Sequence, residues 1–162
     1  MLSYKLEQTA AALTAVVDHI NVGGCCVVAT IVGNIIESQV NDAKVLVLST
    51  RNTTVESAGV NLECDYEGNY SVDELQANGL WVTHMLLEFE LDGITTYFDT
   101  DLGVFEHYNA VYDQYGWDCD VVGEVSLQEA TSWAAEPEAW NDAFDRDTIP
   151  MLEDVATALL AA

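Results

Sequence analysis

The chain has 162 residues, half of them apolar, which is the composition of a folded protein with room for a substantial core. Its 28 acidic residues outnumber four basic ones, and the formal net charge at pH 7 is −24. This scarcity of Lys and Arg argues against direct binding of nucleic acid or docking to an anionic membrane, because both need clustered cations.

The sequence also predicts a cytoplasmic protein that needs no cofactor. The N-terminal segment turns acidic at Glu7, unlike a secretory signal peptide, and no apolar run reaches the ~18 residues of a membrane span. The cysteines show neither a CxxC motif nor the spacing of metal ligands, so we expect reduced thiols and no metal site. These cysteines are Cys25, Cys26, Cys64 and Cys119. No phosphate-binding loop or dinucleotide-binding motif is present in the sequence.

The first half of the chain predicts two helices followed by a strand. Apolar residues at helical spacing predict an amphipathic helix over residues 3–20, which the segment 21–24 interrupts with its two glycines. Residues 25–37 are apolar on nearly all sides and predict a central buried helix. Further along we expect a short strand at residues 45–48, a polar loop at 51–59 and a capped short helix from Ser71.

The strongest hairpin signal lies in the middle of the chain. Residues 80–91 alternate in the manner of a strand, Asp92 and Gly93 favour a two-residue turn, and residues 94–101 return as the partner strand. A two-residue turn sets a register in which Asp101 lies opposite His84 and Asp99 is its diagonal neighbour.

The C-terminal part predicts further helices. Residues 108–125 are expected to form a loop or strand, and Ser126 followed by Glu129 has the spacing of a capped helix start over residues 126–135. A last helix follows Pro150. The whole pattern predicts one α+β domain over residues 1–162.

Three residues that could form a thiol active site occur in the order Cys25, His84 and Asp99. A thiol attacks as the thiolate, and a helix N-terminus with a nearby imidazolium lowers its pKa. Cys25 is expected in the first turn of the buried helix, where free backbone N–H groups could stabilise an oxyanion. His84 would accept the thiol proton, and a carboxylate would orient its ring. Cys26 remains an alternative to Cys25, and Asp101 an alternative to Asp99.

Two segments resemble known cysteine enzymes. Residues 23–29, Gly-Gly-Cys-Cys-Val-Val-Ala, resemble the Gly-x-Cys-aromatic-x-x-Ala start of the nucleophile helix of transglutaminases, with Cys26 in place of the aromatic. Residues 83–99 resemble the His strand, turn and Asp strand of transglutaminase-like proteins and arylamine N-acetyltransferases. The order of Cys, His and Asp is that of the papain-like and transglutaminase-like cysteine enzymes. The resemblance covers less than a third of the chain.

This resemblance implies a fold, an activity and a set of site residues. The fold would place the helix carrying the cysteine on an antiparallel sheet, with extra C-terminal helices. The activity would be thiol-dependent acyl transfer or hydrolysis of an amide or peptide through a Cys25, His84 and Asp99 site, the family spacing favouring Asp99 over Asp101. His19 precedes Cys25 by six residues, where papain-like proteases carry an oxyanion glutamine, and is the corresponding candidate.

The negative charge leaves a second function open. A cysteine enzyme with this surface would prefer a cationic protein or peptide substrate. Alternatively, the chain is a non-catalytic acidic interaction protein, such as a DNA-mimic inhibitor or an assembly protein of viral origin, that binds a basic partner. The same scaffold with an inert site, used for assembly, is a third interpretation.

Overall fold

The computed structural model describes residues 1–18, 20–49, 84–113, 116, 119–135 and 144–161. Within these ranges the chain combines helices with an antiparallel sheet, which confirms the predicted α+β class. The predicted loop at residues 51–59, the predicted helix from Ser71 and residues 80–83 of the predicted strand lie outside them. None of the helices in the described ranges combines the length and the apolar character that a bilayer span requires.

Five strands of the described residues form the sheet. They are β1 (Asn41–Ser49), β2 (His84–Leu91), β3 (Ile94–Asp99), β4 (Gly103–Phe105) and β5 (Asp120–Ser126). Their order across the sheet is β4-β3-β2-β1-β5, and every neighbouring pair is antiparallel. The three-residue strand β4 was not predicted, because so short a segment carries no measurable alternation.

Within the described ranges, five helices and a short 3₁₀ turn accompany the sheet. They are α1 (Leu2–Val16), α2 (Asn21–Ile36), α3 (Ala110–Asp113), α4 (Leu127–Ala135), the 3₁₀ turn Arg146–Thr148 and α5 (Ile149–Leu160). The predicted cap of α4 is confirmed, since the Ser126 hydroxyl accepts a hydrogen bond of 3.1 Å from the Glu129 N–H. Pro150 lies in the first turn of α5, as predicted.

The β2–β3 hairpin has the predicted turn and register. Asp92 and Gly93 have φ angles of +54° and +81°, the left-handed conformation that both central residues of a type I′ turn require. Leu91 pairs with Ile94 and Leu87 with Phe98. Continued along the strands, this register puts Asp99 on the face of the sheet that His84 shares.

Helix α2 is the centre of the hydrophobic core. It contacts β2 on the sheet and the helices α4 and α5 on its other sides. Residues 26–33 are all buried, which confirms the predicted burial of this helix. The predicted interruption at residues 21–24 is wrong, because α2 begins at Asn21. Gly24 instead allows close packing: a Cβ there would lie 2.8 Å from the Phe144 ring. Tertiary packing therefore overrides the low helix propensity of the glycines.

Gly33→Ala should destabilise the protein, although Ala is normally favoured over Gly within a helix by about 1 kcal/mol. A Cβ at residue 33 would approach Leu127 Cδ2 to 2.5 Å and Leu87 Cδ1 to 3.0 Å, and both leucines are buried. We expect a net loss of about 1–3 kcal/mol in the free energy of unfolding, measured by urea denaturation. Leu127→Ala removes the closer obstacle, so Gly33→Ala should cost less in that background. Equal costs in the two backgrounds would contradict the clash.

Candidate active site

His84 and Asp99 form a buried pair at one end of the sheet. His84 Nε2 lies 3.1 Å from Asp99 Oδ2, and the two side chains are only 5% and 3% exposed. The other carboxylate oxygen, Oδ1, accepts hydrogen bonds from the backbone N–H groups of Asp101 at 3.0 Å and Leu102 at 2.8 Å. The turn between β3 and β4 therefore fixes the carboxylate, and the carboxylate fixes the orientation of the imidazole.

Cys25 brings a thiol to the opposite side of the same imidazole. It is partly exposed, and its thiol is hydrogen-bonded to the His84 side chain. Because Nε2 faces Asp99, the ring nitrogen that faces the thiol is Nδ1. The backbone N–H of Met85, the residue after His84, also contacts the thiol. The three side chains thus form a continuous chain of contacts from the thiol of a half-buried residue to a buried carboxylate.

The contacts of this site favour a thiolate beside an imidazolium. Burial acts to raise the pKa of the Cys25 thiol, but the hydrogen bond and charge of His84, with the N–H groups of Met85 and Cys26, outweigh it and lower the pKa. Burial acts to lower the pKa of His84, yet the hydrogen bonds and charges of Asp99 and Cys25 raise it to about 10. Each partner therefore stabilises the charged form of the other.

The alternative site residues lie elsewhere. Cys26 is fully buried, and its thiol donates a hydrogen bond of 3.5 Å to the Ala130 carbonyl oxygen in α4. Burial, and the charge of the neighbouring Cys25, raise its pKa well above that of an ordinary thiol. The Asp101 side chain is exposed, and it is the backbone N–H of this residue that contacts Asp99. His19 lies outside the described residues.

The expected position of Cys25 in the first turn of the helix is wrong. Because α2 begins at Asn21, Cys25 is the fifth helical residue and lies beyond the free N–H groups of the helix start. The Cys25 amide is therefore placed within the helical hydrogen-bond ladder and is not free to stabilise an oxyanion.

Asn21 is a polar residue near the site that the sequence interpretation missed. Its side-chain Nδ2 is buried and finds no hydrogen-bond partner in the part of the chain that the structure describes. Side chains four residues apart lie on the same helix face, so Asn21 stands one turn before Cys25 on its face. An unpaired amide donor beside a nucleophile can bind a developing negative charge. The spacing was readable in the sequence, but the misplaced helix start concealed it.

Tyr112 is a second residue that the sequence did not indicate. Its ring meets the His84 ring edge-on, with centroids 6.5 Å apart. Burial and the negative charges of nearby groups, Cys119 and Cys25 foremost, raise the pKa of its phenol well above the usual value. The Tyr112 phenol is therefore protonated at every pH at which the Cys25 thiolate first forms. It belongs to α3, a four-residue helix within a segment predicted as loop or strand.

No group of three or more His, Cys, Asp or Glu side chains in the described part of the chain is arranged to hold a metal ion.

Comparison of the chain with protein-family models, with curated proteins and with solved structures finds no match. The chemistry of the site is therefore inferred from its own geometry.

The rate at which iodoacetamide alkylates Cys25 should depend on pH with an apparent thiol pKa below that of a free thiol. Asp99→Asn should raise this apparent pKa. The substitution removes the contact that keeps His84 protonated, so the imidazolium that stabilises the thiolate is lost. Rates of alkylation at Cys25, mapped by mass spectrometry over about pH 5–9, report the apparent pKa.

Asp101→Asn is the matched control for this experiment. It makes the same change of charge two residues away, and its side chain has no hydrogen bond to His84. Removal of a nearby negative charge alone lowers a thiol pKa, so the two variants should shift the apparent pKa in opposite directions. Shifts of the same sign and size would mean that the Asp99–His84 contact does not activate Cys25.

Proposed function

We propose that this protein is a cysteine enzyme that catalyses acyl transfer or amide hydrolysis through a thioester. The observation that carries the proposal is the contact chain of Cys25, His84 and Asp99, which runs from the thiol of a half-buried residue to a buried carboxylate. Buried carboxylates and imidazoles are costly to maintain, and their alignment on a thiol is the arrangement that nucleophilic catalysis requires.

The first half of the reaction forms the thioester. The Cys25 thiolate attacks the carbonyl carbon of the substrate, and the C=O electron pair moves to the oxygen to give a tetrahedral oxyanion. As the oxyanion collapses, the bond to the leaving amine or alkoxide breaks, and His84 donates its Nδ1 proton to that group. Asp99 keeps the ring in place throughout, because both of its oxygens are bound.

The second half releases the acyl group. Water, or an acceptor amine, gives a proton to His84 as it attacks the thioester carbonyl. The C–S bond then breaks and the thiolate returns, again paired with the imidazolium. Whether the product is an acid or an amide depends only on which acceptor reaches the thioester, so one geometry supports both hydrolysis and transfer.

Asn21 is the proposed donor to the oxyanion. Its unpaired Nδ2 lies on the face of α2 that carries Cys25, and the amide of Cys25 itself is not free. A hydrogen-bond donor that gains its partner only when negative charge develops stabilises the transition state more than the substrate.

The arrangement supports kinship with the papain-like and transglutaminase-like enzymes. A buried helix carries the cysteine, packs against an antiparallel sheet and is covered by later helices, and the histidine and aspartate lie on adjacent strands. The order along the chain is the same as in those enzymes. We therefore place the fold in that superfamily as part of the proposal.

The proposed substrates are cationic proteins or peptides. The chain carries a net charge of −24, and the exposed Asp101 side chain lies two residues from the carboxylate of the site. Positively charged groups would therefore be attracted to this end of the sheet, at a rate that falls as salt is added.

p-Nitrophenyl acetate should acetylate Cys25 and release a burst of p-nitrophenolate equal to the enzyme concentration. Cys25→Ala should abolish the burst, whereas Cys26→Ala should retain it, because the Cys26 thiol is directed to α4 and away from the imidazole. Mass spectrometry locates the acetyl group, and circular dichroism confirms that both variants fold. A burst that persists in Cys25→Ala, or an acetyl group elsewhere, would exclude this nucleophile.

Asn21→Ala should slow acetylation of Cys25 by about a hundredfold, the typical cost of removing one oxyanion donor. Alkylation by iodoacetamide creates no oxyanion, so its rate and pH dependence should stay unchanged in the same variant. Equal slowing of acetylation and alkylation would show that Asn21 only maintains the structure around the thiol.

A further inference from the structure

A cavity lies among the helices, away from the thiol site. Its volume is about 440 Å³, and it opens between α2, α4 and α5. Its walls are mainly aliphatic and include Ile31 and Ile35 from α2 and Ile149 from α5. This volume falls within the range of about 300–1,000 Å³ that is typical of small-molecule sites.

Arg146 places an unsatisfied cation at this cavity. Its Nη2 donates a hydrogen bond of 2.9 Å to the Ala134 carbonyl oxygen, near the C-terminal end of α4. Its Nη1 is buried and has no hydrogen-bond partner among the described residues. None of the ion pairs found among the described residues includes Arg146, although the chain carries 28 acidic side chains. A buried guanidinium donor without an acceptor is costly, so an acceptor supplied from outside would be stabilising.

We propose that this cavity binds a small monocarboxylate with an apolar body. The carboxylate would pair with the Arg146 guanidinium, which lines the cavity, and the apolar body would lie against Ile31, Ile35 and Ile149. This site and its occupant do not depend on the proposed reaction at Cys25.

The other polar groups of the cavity favour a ligand with one negative charge over a ligand with two. The Thr131 hydroxyl donates to the Leu127 carbonyl oxygen at 2.6 Å and accepts from Asn34 Nδ2 at 3.1 Å, so these groups already have partners. The exposed Glu153 also lines the cavity and carries a negative charge of its own. With one cation available and a carboxylate nearby, a dianion such as a phosphate ester would remain uncompensated.

Octanoate is a suitable probe, compared with 1-octanol and octylammonium, which have the same chain and a neutral or positive head. We expect octanoate to bind at least about tenfold more tightly than either, the effect of one charge-assisted hydrogen bond. Titration calorimetry gives the affinities. Nuclear magnetic resonance should show shifts in the Arg146 side-chain N–H signals and in the backbone signals of Thr30 and Ala134, which line the cavity.

Three variants, each with one charged side chain replaced by Gln, test whether Arg146 binds the carboxylate. Arg146→Gln should weaken octanoate binding by about tenfold. Lys5→Gln removes the same charge from α1, outside the cavity lining, and should leave the affinity unchanged. Glu153→Gln keeps Arg146 intact and should tighten binding, because it removes the repelling carboxylate.

The proposal fails if 1-octanol binds as tightly as octanoate, or if Lys5→Gln weakens octanoate binding as much as Arg146→Gln does. If Arg146→Gln does not fold, the comparison of octanoate with 1-octanol and the Glu153→Gln titration still decide, since both leave Arg146 in place. Octanoate binding that leaves the signals of Thr30, Ala134 and Arg146 unmoved would place it elsewhere and overturn the assignment.

Discussion

The two oxygens of the Asp99 carboxylate connect the local geometry of a turn to the chemistry of a thiol. Oδ1 accepts from the N–H groups of Asp101 and Leu102, and Oδ2 contacts His84. A carboxylate bound on one side only could rotate, and the imidazole would rotate with it. Because the turn holds one oxygen, the second oxygen defines which ring nitrogen faces Cys25. The charge state of the thiol therefore depends on backbone amides of the β3–β4 turn that it does not touch.

The helix α2 joins this site to the rest of the core. Its first residues carry Asn21 and Cys25, its middle residues pack on the sheet, and Val27, Ile31 and Ile35 line the cavity with Arg146. The helix is buried on nearly all sides, so its position is fixed by several neighbours at once. At Gly33 even a Cβ would collide with two leucines, which indicates how closely the helix packs against its neighbours.

The elements that the sequence predicted well are those governed by neighbouring residues. The Asp92–Gly93 turn, the hairpin register that follows from it and the Ser126 cap each depend on a few adjacent side chains. The errors concern distant contacts. Gly24 looks like part of a helix break in the sequence, because the Phe144 ring that packs against it lies far along the chain. The choice between Cys25 and Cys26 likewise depended on Ala130, which receives the Cys26 thiol. The site residues could be nominated from order and spacing, but their selection required the tertiary packing.

The separation of the site residues along the chain has a consequence for folding. His84 and Asp99 are only 15 residues apart and belong to one hairpin, so their pairing requires the closure of a short loop. Cys25 reaches them only when α2 docks against the sheet, a contact between distant parts of the chain. Before docking, the thiol is an ordinary one. The reactivity of the sulfur therefore reports the docking of α2 on the sheet, because the contact with His84 exists only once these two parts of the core are in place.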